Sequence, residues 1–359
     1  MSAALTGGVL VARLDNLGDV VLAGPAVRAA AATGRPVHVL CGPRGRAMAE
    51  LLPGAATITT FHAPWIEPEP MPVAERDARA LVAVVEAAGV TDAAILGSSH
   101  QSPLPLAMLL RWAGVERIAA ISHDHAGSLL DVRIPGDPHV HEVRRGLLVT
   151  AALGFPEPDD DRLALDLGDH GLPPAVAREL GAPRADDVVV HPGASVAART
   201  LPFARWCTVV QAVRRSGRRV LITGSAEEAR LTGAVPGEPP DVIDLRGRLS
   251  VRQLGTVLAG SGAVACGNTG PMHMAAAVGT PVVAVFAPTV PLHRWRPWQV
   301  PHVVLGDQDV ACAGCRSRTC PLAEQVCLAG VSGADVVAAL DHLAAVPAVP
   351  AVPAEAATR

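Results

Sequence analysis

At 359 residues the chain is long enough for two ordinary domains, and a 50% hydrophobic fraction supplies material for a core in each. A formal net charge of −4, with no dense arginine stripe interleaved with stacking aromatics, excludes a protein that works mainly by wrapping nucleic acid. With 4 Phe and no Tyr the core must rely largely on small side chains, and the 30 basic residues are all Arg, a bias expected of a GC-rich coding sequence rather than of chemistry.

Residues 1–8 carry no basic, apolar leader pattern. The most apolar stretch, 275–287, is broken by Gly279 and Pro281 and is too short to span a bilayer. The expectation is a cytoplasmic protein, in which the 7 Cys are not a disulfide framework.

Short Val/Ile/Leu runs alternate with Ala-rich amphipathic segments, which predicts βα units with buried parallel strands. In the first half, strands are expected at 9–14, 37–40, 93–96 and 117–121, and helices at 19–31, 75–88, 105–112 and 141–153, the last stopping at Gly154. A Pro- and Asp-rich stretch at 155–161 leads through a mixed segment to about 184. The pattern then restarts. Strands are expected at 188–191, 219–223, 242–245, 263–265 and 282–286, and helices at 203–215, 226–234, 251–259 and from Asn268 onward. This reads as an α/β chain of two Rossmann-like domains, 1–170 and 171–332, followed by a helix at 333–346 and a disordered Ala/Val/Pro tail at 347–359.

Ligands of open α/β sheets bind beyond the carboxyl ends of the strands, and three such junctions carry polar, Gly-containing sequence. The first is Arg13-Leu14-Asp15-Asn16-Leu17-Gly18-Asp19-Val20. Gly18 permits a tight turn, and Asp19 falls at a helix start, where it serves either as an N-cap or as an ionised base for an incoming hydroxyl. The G-x-G-x-x-G fingerprint is missing, which argues against a dehydrogenase. The second junction, His191-Pro192-Gly193-Ala194-Ser195 with Arg199 following, offers a hydroxyl, loop N–H groups and a guanidinium to a diphosphate, or is an ordinary βα loop. The third, Cys266-Gly267-Asn268-Thr269-Gly270-Pro271-Met272-His273, runs a strand into a helix entrance, a ready anion site, with His273 about one turn in.

These segments, with Thr223-Gly224-Ser225 and the run from Gly279 to Phe286, resemble glycosyltransferase family 9, the ADP-heptose:lipopolysaccharide heptosyltransferases. The resemblance covers nearly the whole chain except the tail. It implies a GT-B fold of two facing domains with a central cleft, and a C-terminal helix packing back toward the N-terminal domain. It implies an inverting, metal-independent transfer from an ADP-heptose-like donor to a glycan, lipid-linked or small-molecule acceptor. Asp19 matches the family's base; Ser195, Arg199, Asn268, Thr269 and Gly270 match its donor contacts, joined by His273. Glu228 matches the ribose-binding acid and Leu249 the adenine pocket. Asn268 stands where the family commonly has Asp, and Arg199 where it often has Lys, which leaves the phosphate role intact and the sugar open. A lipid-linked acceptor would bring transient contact with the inner face of the membrane.

Cys312, Cys315, Cys320 and Cys327 place four thiols in a short run. A structural Zn or Fe site is one reading and packed thiols the other, and neither supplies a cofactor to the reaction. His123, His125, His139 and His141 are expected to be loop histidines rather than ligands. The competing functions are another GT-B nucleotide-sugar enzyme, such as a UDP-sugar transferase or an epimerase, and a non-catalytic nucleotide-sugar-binding protein.

Overall fold

A computed structural model describes residues 7–67, 69–98, 100–181, 184–322, 324–347 and 350–352. It divides into two compact units, the first running to Asp166 and the second beginning at Leu167, a few residues before the boundary expected from the sequence. Of the tail expected to be disordered, residues 348, 349 and 353–359 lie outside the described residues.

The first unit contains β1 (Gly8–Arg13), β2 (Val37–Cys41), β3 (Thr57–Thr60), β4 (Val90–Ile95), β5 (Arg117–Ile121) and β6 (Val132–Ile134). They form one parallel sheet in the order β3-β2-β1-β4-β5-β6. The second contains β7 (Val188–His191), β8 (Val220–Ile222), β9 (Val242–Asp244), β10 (Ala263–Gly267), β11 (Val282–Val285) and β12 (His302–Leu305). Their order, β12-β11-β10-β7-β8-β9, is the same winding repeated. In each sheet the winding reverses between the first and fourth strands of the unit. The loops leaving those two strands diverge there and open a crevice.

Every residue of β1, β7, β10 and β11 is buried, as expected of parallel strands covered by helices on both faces. The edge strands β3, β6 and β12 contain no fully buried residue, and for that reason no strong apolar run announced them. Small residues dominate both cores, yet the second is also filled by Trp206 and Phe286, both fully buried.

One helical expectation is corrected. The helix expected over 19–31 is two, Leu17–Leu22 and Gly24–Ala31, because Pro25 in the first turn of the second has no N–H to continue the ladder. The terminal helix Gly333–Ala344 buries Val336, Ala339, Leu340 and Leu343 in the core of the second unit, beside Trp206 and Val209. The helix Glu142–Ala152 ends as expected: Gly154 is left-handed and the Phe155 N–H bonds back to Thr150 O at 3.1 Å. No helix among the described residues is long and apolar enough to cross a membrane.

Candidate active site

In the first unit the chemistry gathers at the carboxyl end of β1. Asp19 is not the helix cap. Asn16 holds that position, its side chain makes no capping bond, and Asp19 lies in the first turn with its N–H donating to Asn16 O at 3.0 Å. Gly18 is inside the helix and is not left-handed, so it makes no tight turn. The Asp19 carboxylate accepts instead from Arg13 Nη2 at 3.1 Å. Arg13 also faces Asp15 at 2.8 Å and Glu142 at 3.3 Å, and donates to Ser98 Oγ at 3.0 Å. Burial opposes its charge, but Asp15, Asp19 and Glu142 outweigh burial and raise its pKa further. Gln101, from the loop after β4, donates to Asp15. The loops leaving β1 and β4 are thus tied together where the winding reverses.

Arg13, Ser98, Gln101 and Glu142 were not singled out from the sequence. The signal for Arg13 was present as a charged residue closing an otherwise apolar strand. His141 caps the Glu142–Ala152 helix, its ring accepting from the Val143 N–H at 3.2 Å, and Arg145 pairs with Glu142 at 3.2 Å.

In the second unit the loops leaving β7 and β10 approach in the same way. Arg199 ends a short turn of helix, Ala197–Arg199, and its carbonyl lies against Gly267, where a Cβ would come within 2.6 Å of the oxygen. Thr200 donates to Pro192 O at 2.7 Å and accepts from Trp206 Nε1 at 2.8 Å, which bolts the Arg199 loop to the core. Ser195 is exposed on the same loop. Thr269 caps the helix Gly270–Ala277 with no side-chain bond to it, so its hydroxyl makes no intrahelical cap. Asn268 is buried, and its Nδ2 has no hydrogen-bond partner among the described residues. His273 is buried in the same helix. Ser195 and Arg199 thus stand on one side of the reversal, and Asn268, Thr269, Gly270 and His273 on the other.

Glu228 lies in the capping box of Ala226–Thr232: Ser225 N–H donates to its carboxylate at 2.6 Å, and its own N–H bonds Ser225 Oγ at 3.1 Å. That carboxylate reaches Gly193 on the β7 loop. Buried His191 bonds Thr223 at 3.0 Å; burial lowers its pKa, with the charge of Glu228 pulling the other way. Leu249, half-buried, sits on a loop that the Gly247 N–H ties to Gly224 O at 2.9 Å, next to the same capping box.

Cys312 and Cys315 are exposed, Cys320 is half-buried and Cys327 is buried. Burial pushes the Cys327 thiol up, and the other three thiols lie near enough to add to the effect. Among the described residues no set of three or more His, Cys, Asp or Glu side chains is arranged to hold a metal ion. A hollow of about 750 Å³ lies in the first unit, with Phe61, Trp65, Met71, Met108 and Trp112 in its wall. It shares Trp65 and Ser102 with a smaller hollow that Gln101 also lines.

The model of a family described as glycosyltransferase family 9 (heptosyltransferase) matches residues 100–325. The chain belongs to glycosyltransferase family 9. The matched residues include Ser195, Arg199, Glu228, Leu249, Asn268, Thr269, Gly270 and His273 and begin after Asp19. Lipopolysaccharide heptosyltransferase 1 of Pseudomonas aeruginosa is 29% identical over 228 residues, 61% of this chain. The chain spans 61% of that relative's length. The solved glycosyl transferase family 9 protein of Veillonella parvula superposes with a TM-score of 0.72 at 16% identity, over 94% of this chain and 97% of that one. E. coli ADP-heptose lps heptosyltransferase II does so with 0.69 at 17%, over 94% and 98%. The paired six-stranded parallel sheets are those of the family 9 GT-B fold.

Proposed function

We propose that this family 9 protein is an inverting, metal-independent transferase that moves a heptose-like sugar from an ADP-sugar to an acceptor hydroxyl on a glycan, a lipid-linked sugar or a small molecule. The observation that carries the reading is the junction of the second unit. Arg199 is held by its backbone against Gly267, beside a helix entrance whose Thr269 hydroxyl is not used as a cap and whose neighbour Asn268 keeps a buried amide N–H without a partner. A buried donor left unpaired costs about 1–3 kcal/mol, and a diphosphate or sugar oxygen removes that cost. The entrance dipole and the Arg199 fork provide the positive charge that a departing diphosphate needs, a role a metal ion would otherwise fill. The likeness to the E. coli ADP-heptose lps heptosyltransferase II supports the donor.

Asp19 is the base in this reading. The acceptor hydroxyl gives its proton to the Asp19 carboxylate while its oxygen bonds to the anomeric carbon. The bond from that carbon to the diphosphate breaks on the opposite face, which inverts the configuration. The charge that collects on the leaving oxygen is met by Arg199, the Thr269–Gly270 entrance and His273. Glu228 is assigned to the ribose and the loop at Leu249 to the adenine.

Thermal-shift titration with ADP and UDP tests the donor. ADP should stabilise the protein, and stabilisation by UDP alone would overturn the donor assignment. Mass spectrometry of products from ADP-heptose and a lysate acceptor pool then identifies the acceptor.

A further inference from the structure

Arg13 closes β1, where its backbone is paired with Cys41 of β2, one residue beyond the end of the pairing with β4. Its side chain, 5% exposed, is shared by three carboxylates: Asp15 at 8%, Asp19 at 17% and Glu142 at 1%. Glu142 is bound in turn to Arg145, which is also buried, at 3.2 Å. The contacts join three carboxylates to two guanidinium groups, and the most exposed of the three carboxylates is Asp19. Asp19 rides on a helix of six residues with no side-chain cap, a poor support for a group that must be aimed. Arg13, at the end of a buried strand, is a rigid neighbour that it touches.

We propose that Arg13 positions the Asp19 carboxylate for the acceptor hydroxyl, and that Glu142, by competing for the same guanidinium, sets how firmly Asp19 is held. The proposal rests on Asp19 being the base. A buried Arg–Asp pair standing alone would hold its carboxylate ionised but make it a weak proton acceptor, because transfer of the proton would strand the guanidinium. Asp15 and Glu142 keep Arg13 compensated when Asp19 takes the proton. The Glu142–Ala152 helix thereby acts on the base without touching substrate, with Arg145 fixing the Glu142 side chain.

The test follows ADP release from ADP-heptose, with the acceptor pool or water as acceptor, alongside ADP affinity by titration. Arg13→Met should lower kcat about 10–100-fold with KM for the donor and ADP affinity unchanged, a smaller loss than the ~10²–10⁴-fold that general-base help as a whole provides. Arg13→Lys should recover part of the loss. Glu142→Gln should lower kcat several-fold in the natural protein and have no further effect in Arg13→Met. Arg13→Met should also add nothing to Asp19→Asn. Where Arg13→Met alone does not fold, Arg13→Met with Glu142→Gln keeps the cluster's net charge and gives the same comparison with Asp19→Asn. A folded Arg13 variant with unchanged kcat, or one that lowers kcat further in Asp19→Asn, overturns the proposal. Full turnover by Asp19→Asn would instead remove the base assignment itself, so the two failures are distinct.

Discussion

The Glu228 carboxylate occupies the space that a side chain at residue 193 would need: a Cβ on Gly193 would lie 1.9 Å from Glu228 Oε1. The glycine of the β7 loop is thus the seat of an acid held by its own capping box, and two loops of the second unit are interlocked through it. Overpacking of this kind costs about 1–3 kcal/mol. Gly193→Ala should therefore weaken ADP binding and lower the unfolding midpoint, and Gly193→Ala with Glu228→Ala should regain the midpoint but not the affinity. If the double variant is no more stable than Gly193→Ala, the clash is not the cause.

Gly267 stands in the same relation to Arg199. Gly267→Ala must displace the Arg199 carbonyl, which backbone cannot do cheaply, and donor affinity should fall by roughly tenfold, the equivalent of ~1.4 kcal/mol. Arg199→Lys keeps the charge and loses the fork, so its effect on the ADP dissociation constant should be smaller than that of Arg199→Ala. Equal ADP affinity in all three variants and the natural protein would show that the diphosphate does not bind here.

Asp19→Asn preserves the shape of the side chain and removes the proton acceptor. Turnover should fall ~10²–10⁴-fold while ADP affinity stays within error. A parallel loss of both would make Asp19 a donor contact and not the base.

His191 makes stability depend on pH. Burial depresses its pKa below the ordinary 6.5, so the folded protein holds it neutral where the unfolded chain takes a proton. Its contribution is present above pH 6.5 and is lost as pH falls from there through the folded value. The unfolding midpoint should decline over that window more steeply in the natural protein than in His191→Asn. Parallel curves would place the pH dependence elsewhere.

The charge demand of the leaving group is assigned to Arg199 and a helix entrance, so turnover measured in excess EDTA should equal turnover without it. A loss restored by a divalent ion would contradict the metal-independent mechanism.

Much of the architecture is written locally. Continuous apolar runs such as Val188–His191 and Val282–Val285 are buried on both faces, and that demand alone specifies parallel strands under helices. The Asn268–Gly270 junction is legible for the same reason: a strand, a short polar turn and a proline in the first helical turn lie within a few consecutive residues. Strand Thr57–Thr60 was not legible, because an edge strand is half-solvated and its alternation is weak.

Sequence by itself determined two wound α/β units, the polar strand-to-helix junction at Asn268–Gly270, and Asp19 as a carboxylate beside a strand end. Tertiary structure alone decided what surrounds that carboxylate. Arg13 and Glu142 are far apart in the chain, and their meeting, like that of Gly193 with Glu228, depends on which strand end faces which helix. Long-range pairing of charges leaves no periodic trace in a sequence, since each residue separately satisfies the local rules of its own element.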